Sequence, residues 1–135
     1  MATEIKIKNI PEGYQSIITN GKHSIIGDEP ITSKGTDLGL SPTELVLSGI
    51  AMCKVATVRY IARKKGWEIG NVDAQLSQEV KREDSGLKTH VKVNISIEGN
   101  ITDEQRTELL KQADSCYVHR MIMGEWDIEH AKQYE

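Results

Sequence analysis

Ser41-Pro42-Thr43-Glu44-Leu45-Val46-Leu47-Ser48-Gly49-Ile50-Ala51-Met52-Cys53-Lys54-Val55-Ala56-Thr57-Val58-Arg59-Tyr60-Ile61-Ala62-Arg63-Lys64-Lys65-Gly66 is the stretch from which the rest of the chain is read. Ser41 is a natural N-cap, Pro42 suits the first helical position, and Glu44 stands three residues after the cap, where its carboxylate can turn back to the cap's backbone N–H. Arg63, Lys64 and Lys65 place cations where a helix end is negative, and Gly66 is its natural stop. The spacing predicts one long helix. Leu45, Val46, Leu47, Ile50, Ala51, Met52, Val55, Ala56, Val58 and Ile61 cover most of its circumference, so it is expected to be packed on several sides and not along one stripe. Lys54 and Arg59 interrupt the apolar run, which is too short between charges to read as a membrane span.

Upstream, Ile5 and Ile7 alternate with polar residues before Ile10 and Pro11, and Tyr14 to Ile18 and His23 to Ile26 read as two further short strands. Asn20-Gly21 between them supplies the positive backbone angles of a two-residue hairpin turn, which makes the three strands a meander. Asp28 to Leu40, rich in Gly, Asp and Thr and holding Pro30, has no periodicity and reads as a loop on the surface or over a site. Downstream, Val72, Ala74, Leu76 and Val80 fall at even spacing, and Val91, Val93, Ile95 and Ile97 alternate with polar residues, with a hairpin loop from Arg82 to Gly86. Thr102 with Gln105 marks a second capping box, opening a helix through Leu109, Leu110 and Ala113, and Trp126 to Glu129 reads as a last strand. The order β-β-β-α-β-β-α-β makes an α+β domain, an antiparallel sheet packed on a long central helix. That helix is more apolar than a small monomeric sheet can cover, which predicts a homodimer.

With 135 residues the chain fits one domain, and 38% apolar and 27% charged residues with a net charge of -3 give no electrostatic reason to bind nucleic acid or a membrane surface. Its first residues lack the charged start and apolar run of a secretory signal, so a cytoplasmic location is expected. In that reducing compartment the two cysteines, Cys53 and Cys116, are either inert buried thiols or a working redox pair. Cys116, His119 and His130 form one Cys-x-x-His without a second tight ligand pair, too little for zinc, and neither a metal nor an organic cofactor is expected.

Asp28-Glu29-Pro30, Gly35-Thr36-Asp37, Gly39-Leu40-Ser41-Pro42-Thr43-Glu44-Leu45, Cys53 in the helix, Lys65-Gly66-Trp67 and Cys116-Tyr117-Val118-His119-Arg120 occur in an order that resembles the OsmC/Ohr superfamily, from about Asp28 to Ile128. The resemblance implies a single OsmC-like domain over residues 1–135 and an intertwined homodimer with each central helix between sheets. It also implies a thiol-dependent peroxidase of small organic hydroperoxides, regenerated by a dithiol reductant, with two cysteines meeting near the subunit interface. Matched residue by residue, Cys53 takes the attacking role and Cys116 the resolving role.

In the peroxidase branches of that superfamily an arginine from the N-terminal strands and a glutamate directly after the proline serve the attacking thiol. Here no arginine precedes Arg59, Thr43 follows Pro42, and the acid comes one place later at Glu44. Cys53 lies far from both helix ends, where the dipole reaches it little, so a cation is needed beside it. Glu44 and Cys53 are nine residues apart, about 180° round a regular helix and roughly 13 Å along it. Glu44 therefore acts through a partner subunit, a bend or another loop, or it only completes the capping box. Arg120 and His119, close after Cys116, are the candidate cations, with Lys22 and Lys34 in reserve; Thr57 and Tyr60 share the Cys53 face as hydrogen-bonding candidates or as core. The departures leave a second reading: a non-catalytic dimer of the same fold that binds a small apolar or thiol-reactive ligand, walled by Val46, Ile50 and Met121 to Met123, or that senses oxidation without turnover.

Overall fold

The computed structural model describes residues 2–134. It divides into two compact units, Met1–Ser48 and Gly49–Glu135, and the division falls inside the long helix.

In the first unit the strands β1 (Lys6–Asn9), β2 (Ser16–Thr19) and β3 (Ser24–Gly27) form an antiparallel meander in that order, with Ile7 opposite Ile18 and Ile17 opposite Ile26. The connection between β2 and β3 is four residues long, not the two-residue turn expected. Asn20 is the reason: its side chain accepts the backbone N–H of Lys22 (3.0 Å) and His23 (2.8 Å), and only Gly21 takes a positive φ, +95°. After β3 the chain makes one 3₁₀ turn, Ile31–Ser33, and returns so that Leu40 pairs with Gly27. That return needs Gly39, where an added Cβ would stand 1.9 Å from the carbonyl oxygen of Ile26.

The loop is held from within by Asp28, which is 3% exposed. Its carboxylate accepts the backbone N–H groups of Tyr14 (3.2 Å), Glu29 (2.7 Å), Thr36 (3.3 Å) and Leu38 (3.2 Å), and the Thr36 hydroxyl. Burial alone would raise its pKa. The Thr36 hydroxyl and the Leu38, Glu29 and Thr36 amides more than offset that, bringing it from 3.8 to about 2.

The helix α1 runs Pro42–Lys65, with the bounds its caps predict. Ser41 N–H donates to the Glu44 carboxylate at 2.9 Å and Glu44 N–H to the Ser41 hydroxyl at 3.4 Å, a closed capping box. Gly66 ends it at φ +71°, with Trp67 N–H reaching back to Ala62 O at 2.9 Å.

In the second unit β4 (Val72–Glu83) and β5 (Gly86–Ile97) form one antiparallel hairpin, followed by α2 (Asp103–Ala113) and α3 (Tyr117–Met123). The hairpin turn is only Asp84-Ser85, because Glu83 still pairs with Gly86. Thr102 and Gln105 make the second capping box. The core gathers Val58 and Ala62 of α1, Ile97 of β5, and Leu109 and Ala113 of α2, with Ile61, Trp67, Ile69, Val72, Ile95 and Ile101 around it. Burying a leucine such as Leu109 stabilises by about 1.5–3 kcal/mol.

Two further expectations are corrected. Trp126 to Glu129 is not a strand: the described residues after α3 have no ladder partner, and Trp126 donates its indole N–H to Ile122 O at 3.3 Å at the end of the helix. In its place the chain forms α3, which the periodicity did not announce because seven residues span only two turns. Nor is α1 packed on several sides within one chain. Lys54, Val58 and Ala62 are its buried residues, and Met52 is 72% exposed. By length and composition alone α1 is apolar enough to span a membrane, a test that the core helix of a globular protein also passes.

Candidate functional site

Both cysteines belong to the second unit and both are free thiols. Cys53, half-buried, sits mid-helix because the apolar turns of α1 continue on either side of it. Cys116 is 1% exposed and stands where the chain leaves α2 and enters α3. Asp114 caps α2, and the N–H groups of Ser115 and Cys116 still bond back to Gln112 O (3.0 Å) and Ala113 O (3.3 Å), which makes the turn tight. The first turn of α3 then comes back against α1, and Val118 N–H donates to Cys53 Sγ at 3.4 Å.

Burial pushes the Cys116 thiol above its ordinary pKa of 9.0. The backbone N–H of His119 opposes that electrostatically without closing a capping hydrogen bond, the adjoining Cys53 thiol raises it further, and the Lys54 charge pulls it down. The two thiols are therefore neighbours in their reduced form. With the Val118 N–H aimed at Cys53 Sγ, the site holds one half-buried sulfur and a second, buried sulfur beside it.

Lys54 completes the cluster. It is 2% exposed, and its Nζ lies 3.2 Å from Ala113 O and 2.9 Å from His119 Nδ1, bridging the ends of the turn that carries Cys116. The sequence carried a signal for it: a lysine set directly after Cys53 in a helix apolar nearly all round. Such a charge needs a polar partner wherever the helix is packed.

Glu44 belongs to the first unit, where the backbone and hydroxyl of Ser41 hold its pKa below the ordinary range against a small opposing effect of desolvation. Arg120 is exposed: its Nε donates to Ser115 O at 3.1 Å and its guanidinium lies 5.7 Å from the centre of the Tyr117 ring, so it braces the surface of its own turn. Lys22 and Lys34 are residues of the first unit. Thr57 donates its hydroxyl to Cys53 O at 2.8 Å, leaving it bound to backbone, and Tyr60 is exposed. His119 does join the site, as the partner of Lys54. Among the described residues no three His, Cys, Asp or Glu side chains converge as metal ligands.

Comparison with known proteins agrees with this fold. A family model described as OsmC-like protein matches residues 35–131. Crystal structures similar to the chain include an OsmC-like protein from Mycoplasma pneumoniae, 19% identical with a TM-score of 0.76, covering 92% of this chain and 89% of that one. An organic hydroperoxide resistance protein OsmC from Legionella pneumophila is 19% identical with a TM-score of 0.68, covering 92% and 90%. The organic hydroperoxide resistance protein OhrB of Bacillus subtilis is 16% identical with a TM-score of 0.66, covering 92% of each chain. At these identities the likeness is one of fold. No curated protein sequence matches.

Proposed function

Because the chain belongs to the OsmC-like protein family, we propose that it is a thiol-dependent peroxidase of organic hydroperoxides, with Cys53 attacking and Cys116 resolving. The observation that carries this reading is the neighbouring pair of free thiols, one half-buried and the other buried. The names of the Legionella and Bacillus proteins, both organic hydroperoxide resistance proteins, point the same way.

In the first step the Cys53 thiolate attacks the outer peroxide oxygen; an S–O bond forms as O–O breaks, and the departing alkoxide takes the proton the thiol gave up. Cys53 is then a sulfenic acid. Cys116 attacks its sulfur, the S–S bond forms, and hydroxide leaves as water with the Cys116 proton. An external dithiol returns two electrons and two protons by exchange.

The working form is a cytoplasmic homodimer. Its support is the apolar surface one chain leaves open on α1, Met52 and Tyr60 among it, which a second copy would cover. A second reading, ligand binding or oxidation sensing without turnover, is favoured by one observation: no arginine precedes Arg59, so neither copy can bring one from its N-terminal strands.

Intact mass and thiol count after a small excess of cumene hydroperoxide separate the two. The peroxidase reading expects two thiols lost as an internal disulfide, and a trapped or over-oxidised Cys53 in Cys116→Ser. Surviving thiols would sink it. Light scattering at the mass of one chain would remove the dimer.

A further inference from the structure

We propose that Lys54 is the cation that serves the resolving thiol: clamped across the Cys116 turn by Ala113 and His119, its ammonium holds the Cys116 thiolate while that sulfur closes the disulfide on Cys53. This rests on the peroxidase reading of the same two thiols.

The placement carries the argument. Ala113 and His119, the two groups that fix Nζ, stand three residues before and three after Cys116, so the ammonium straddles the turn whose middle is the buried thiol. A thiolate that is 1% exposed has almost no water to stabilise it and needs a charge from the protein. Lys54 needs an anion as badly: among the described residues the one ion pair is Arg106 with Asp103, and no carboxylate reaches Lys54. Each group lacks what the other supplies. The pull of the Lys54 charge on Cys116 ionisation agrees with this.

His119 is the positioning residue. Its Nδ1 lies 2.9 Å from Lys54 Nζ, and in the tautomer with its hydrogen on Nε2 that nitrogen accepts from the ammonium. The groups acting on Cys116 are Cys53 and Lys54 from α1 and His119 from α3. From α2 comes only the Ala113 carbonyl that anchors Lys54, while Asp114 and Arg120 on the same turn are exposed.

The closing step can be isolated without any peroxide. Reduced protein is mixed with 5,5′-dithiobis(2-nitrobenzoate): the Cys53 thiolate takes one thionitrobenzoate, releasing the other, and Cys116 then attacks the Cys53 sulfur and expels the second coloured thiolate. The rate of that second release is followed from pH 6 to 10 in wild type, Lys54→Gln, Lys54→Arg and His119→Ala. Gln removes the charge and keeps an N–H donor on a side chain one bond shorter, and Lys54→Arg restores the charge.

Lys54→Gln should close about tenfold more slowly at pH 7 with its pH midpoint moved upward, Lys54→Arg should recover most of the loss, and His119→Ala should slow closure about threefold. Wild-type rate and midpoint in Lys54→Gln, or a Lys54→Arg as slow as Lys54→Gln, would overturn the proposal. If Lys54→Gln does not fold, His119→Ala decides alone, and an unchanged rate there overturns it. A wild type that releases the first thiolate and never the second removes the paired-thiol reading itself, a failure distinct from a fast-closing Lys54→Gln.

Discussion

Two buried charges sit in the two units of this chain, and they are treated in opposite ways. Asp28 in the first unit accepts four backbone amides and a hydroxyl, so the carboxylate is saturated and its ionised form is strongly favoured. Lys54 in the second unit has three N–H donors and two partners, one carbonyl and one imidazole, with no carboxylate among the described residues. A charge that is fully answered builds structure. A charge that is partly answered, set beside a group able to become its counter-ion, is arranged for chemistry.

The largest effect expected from this contrast is a double dissociation. Cys53→Ser should reduce hydroperoxide consumption to the uncatalysed background while moving the thermal midpoint by no more than about 2 °C, since a half-buried thiol changes little in volume. Asp28→Ala should do the reverse, lowering the midpoint by about 5 °C or more, because four amides and a hydroxyl lose their acceptor, and leaving the rate per folded molecule within about twofold. Melting curves and a peroxide-consumption assay on the same samples check both; a peroxidase loss in folded Asp28→Ala would break the division between the units.

Titration sharpens the contrast next. The Asp28 pKa is lower folded (about 2) than unfolded (3.8), so its stabilisation is whole above pH 3.8 and is lost as pH falls toward 2. Melts from pH 6 to 2 should show that loss, and Asp28→Asn should show less of it. Cys116 has the opposite sign: its folded pKa is raised above 9.0, so its stabilisation is present below pH 9 and lost as pH rises beyond. Cys116→Ser should flatten that alkaline decline.

Smaller again is Lys54→Met, in which an apolar side chain of similar length replaces an incompletely paired buried charge. Its stability should stay within about 1 kcal/mol of wild type or rise. A denaturant midpoint well below wild type would mean that Lys54 is answered as completely as Asp28, and the contrast would fail. The smallest effect belongs to Arg120→Ala, whose side chain braces its own turn on the surface; peroxide consumption should change by no more than about twofold.

What could be read from the sequence was whatever is written locally. Ser41 with Glu44, Thr102 with Gln105, and Gly66 fixed both capped helices to within a residue, since a cap and its partner lie three positions apart. The strands followed from alternation. Trp126 to Glu129 failed because alternation says nothing of whether a neighbouring strand exists to pair with. The site was half legible. Cys53 and Cys116 stood out as the two thiols, but Lys54 read only as an interruption of an apolar run, because its partners Ala113 and His119 lie 59 and 65 residues away. Arg120 was favoured for closeness in sequence to Cys116, and helical geometry turned it outward instead.

Those separations also order events in time. The Asp28 cage closes over at most fourteen residues, to Tyr14, whereas the Lys54 bridge must wait for the last quarter of the chain. Loop closure is faster and less unfavourable over short spans, and a chain made from its N-terminus has the cage in hand before Ala113 and His119 exist. The thiol centre is thus the later of the two to assemble. During synthesis Cys53 waits without its partner sulfur, and Lys54 without its two anchors, until the residues from Ala113 to His119 have been made.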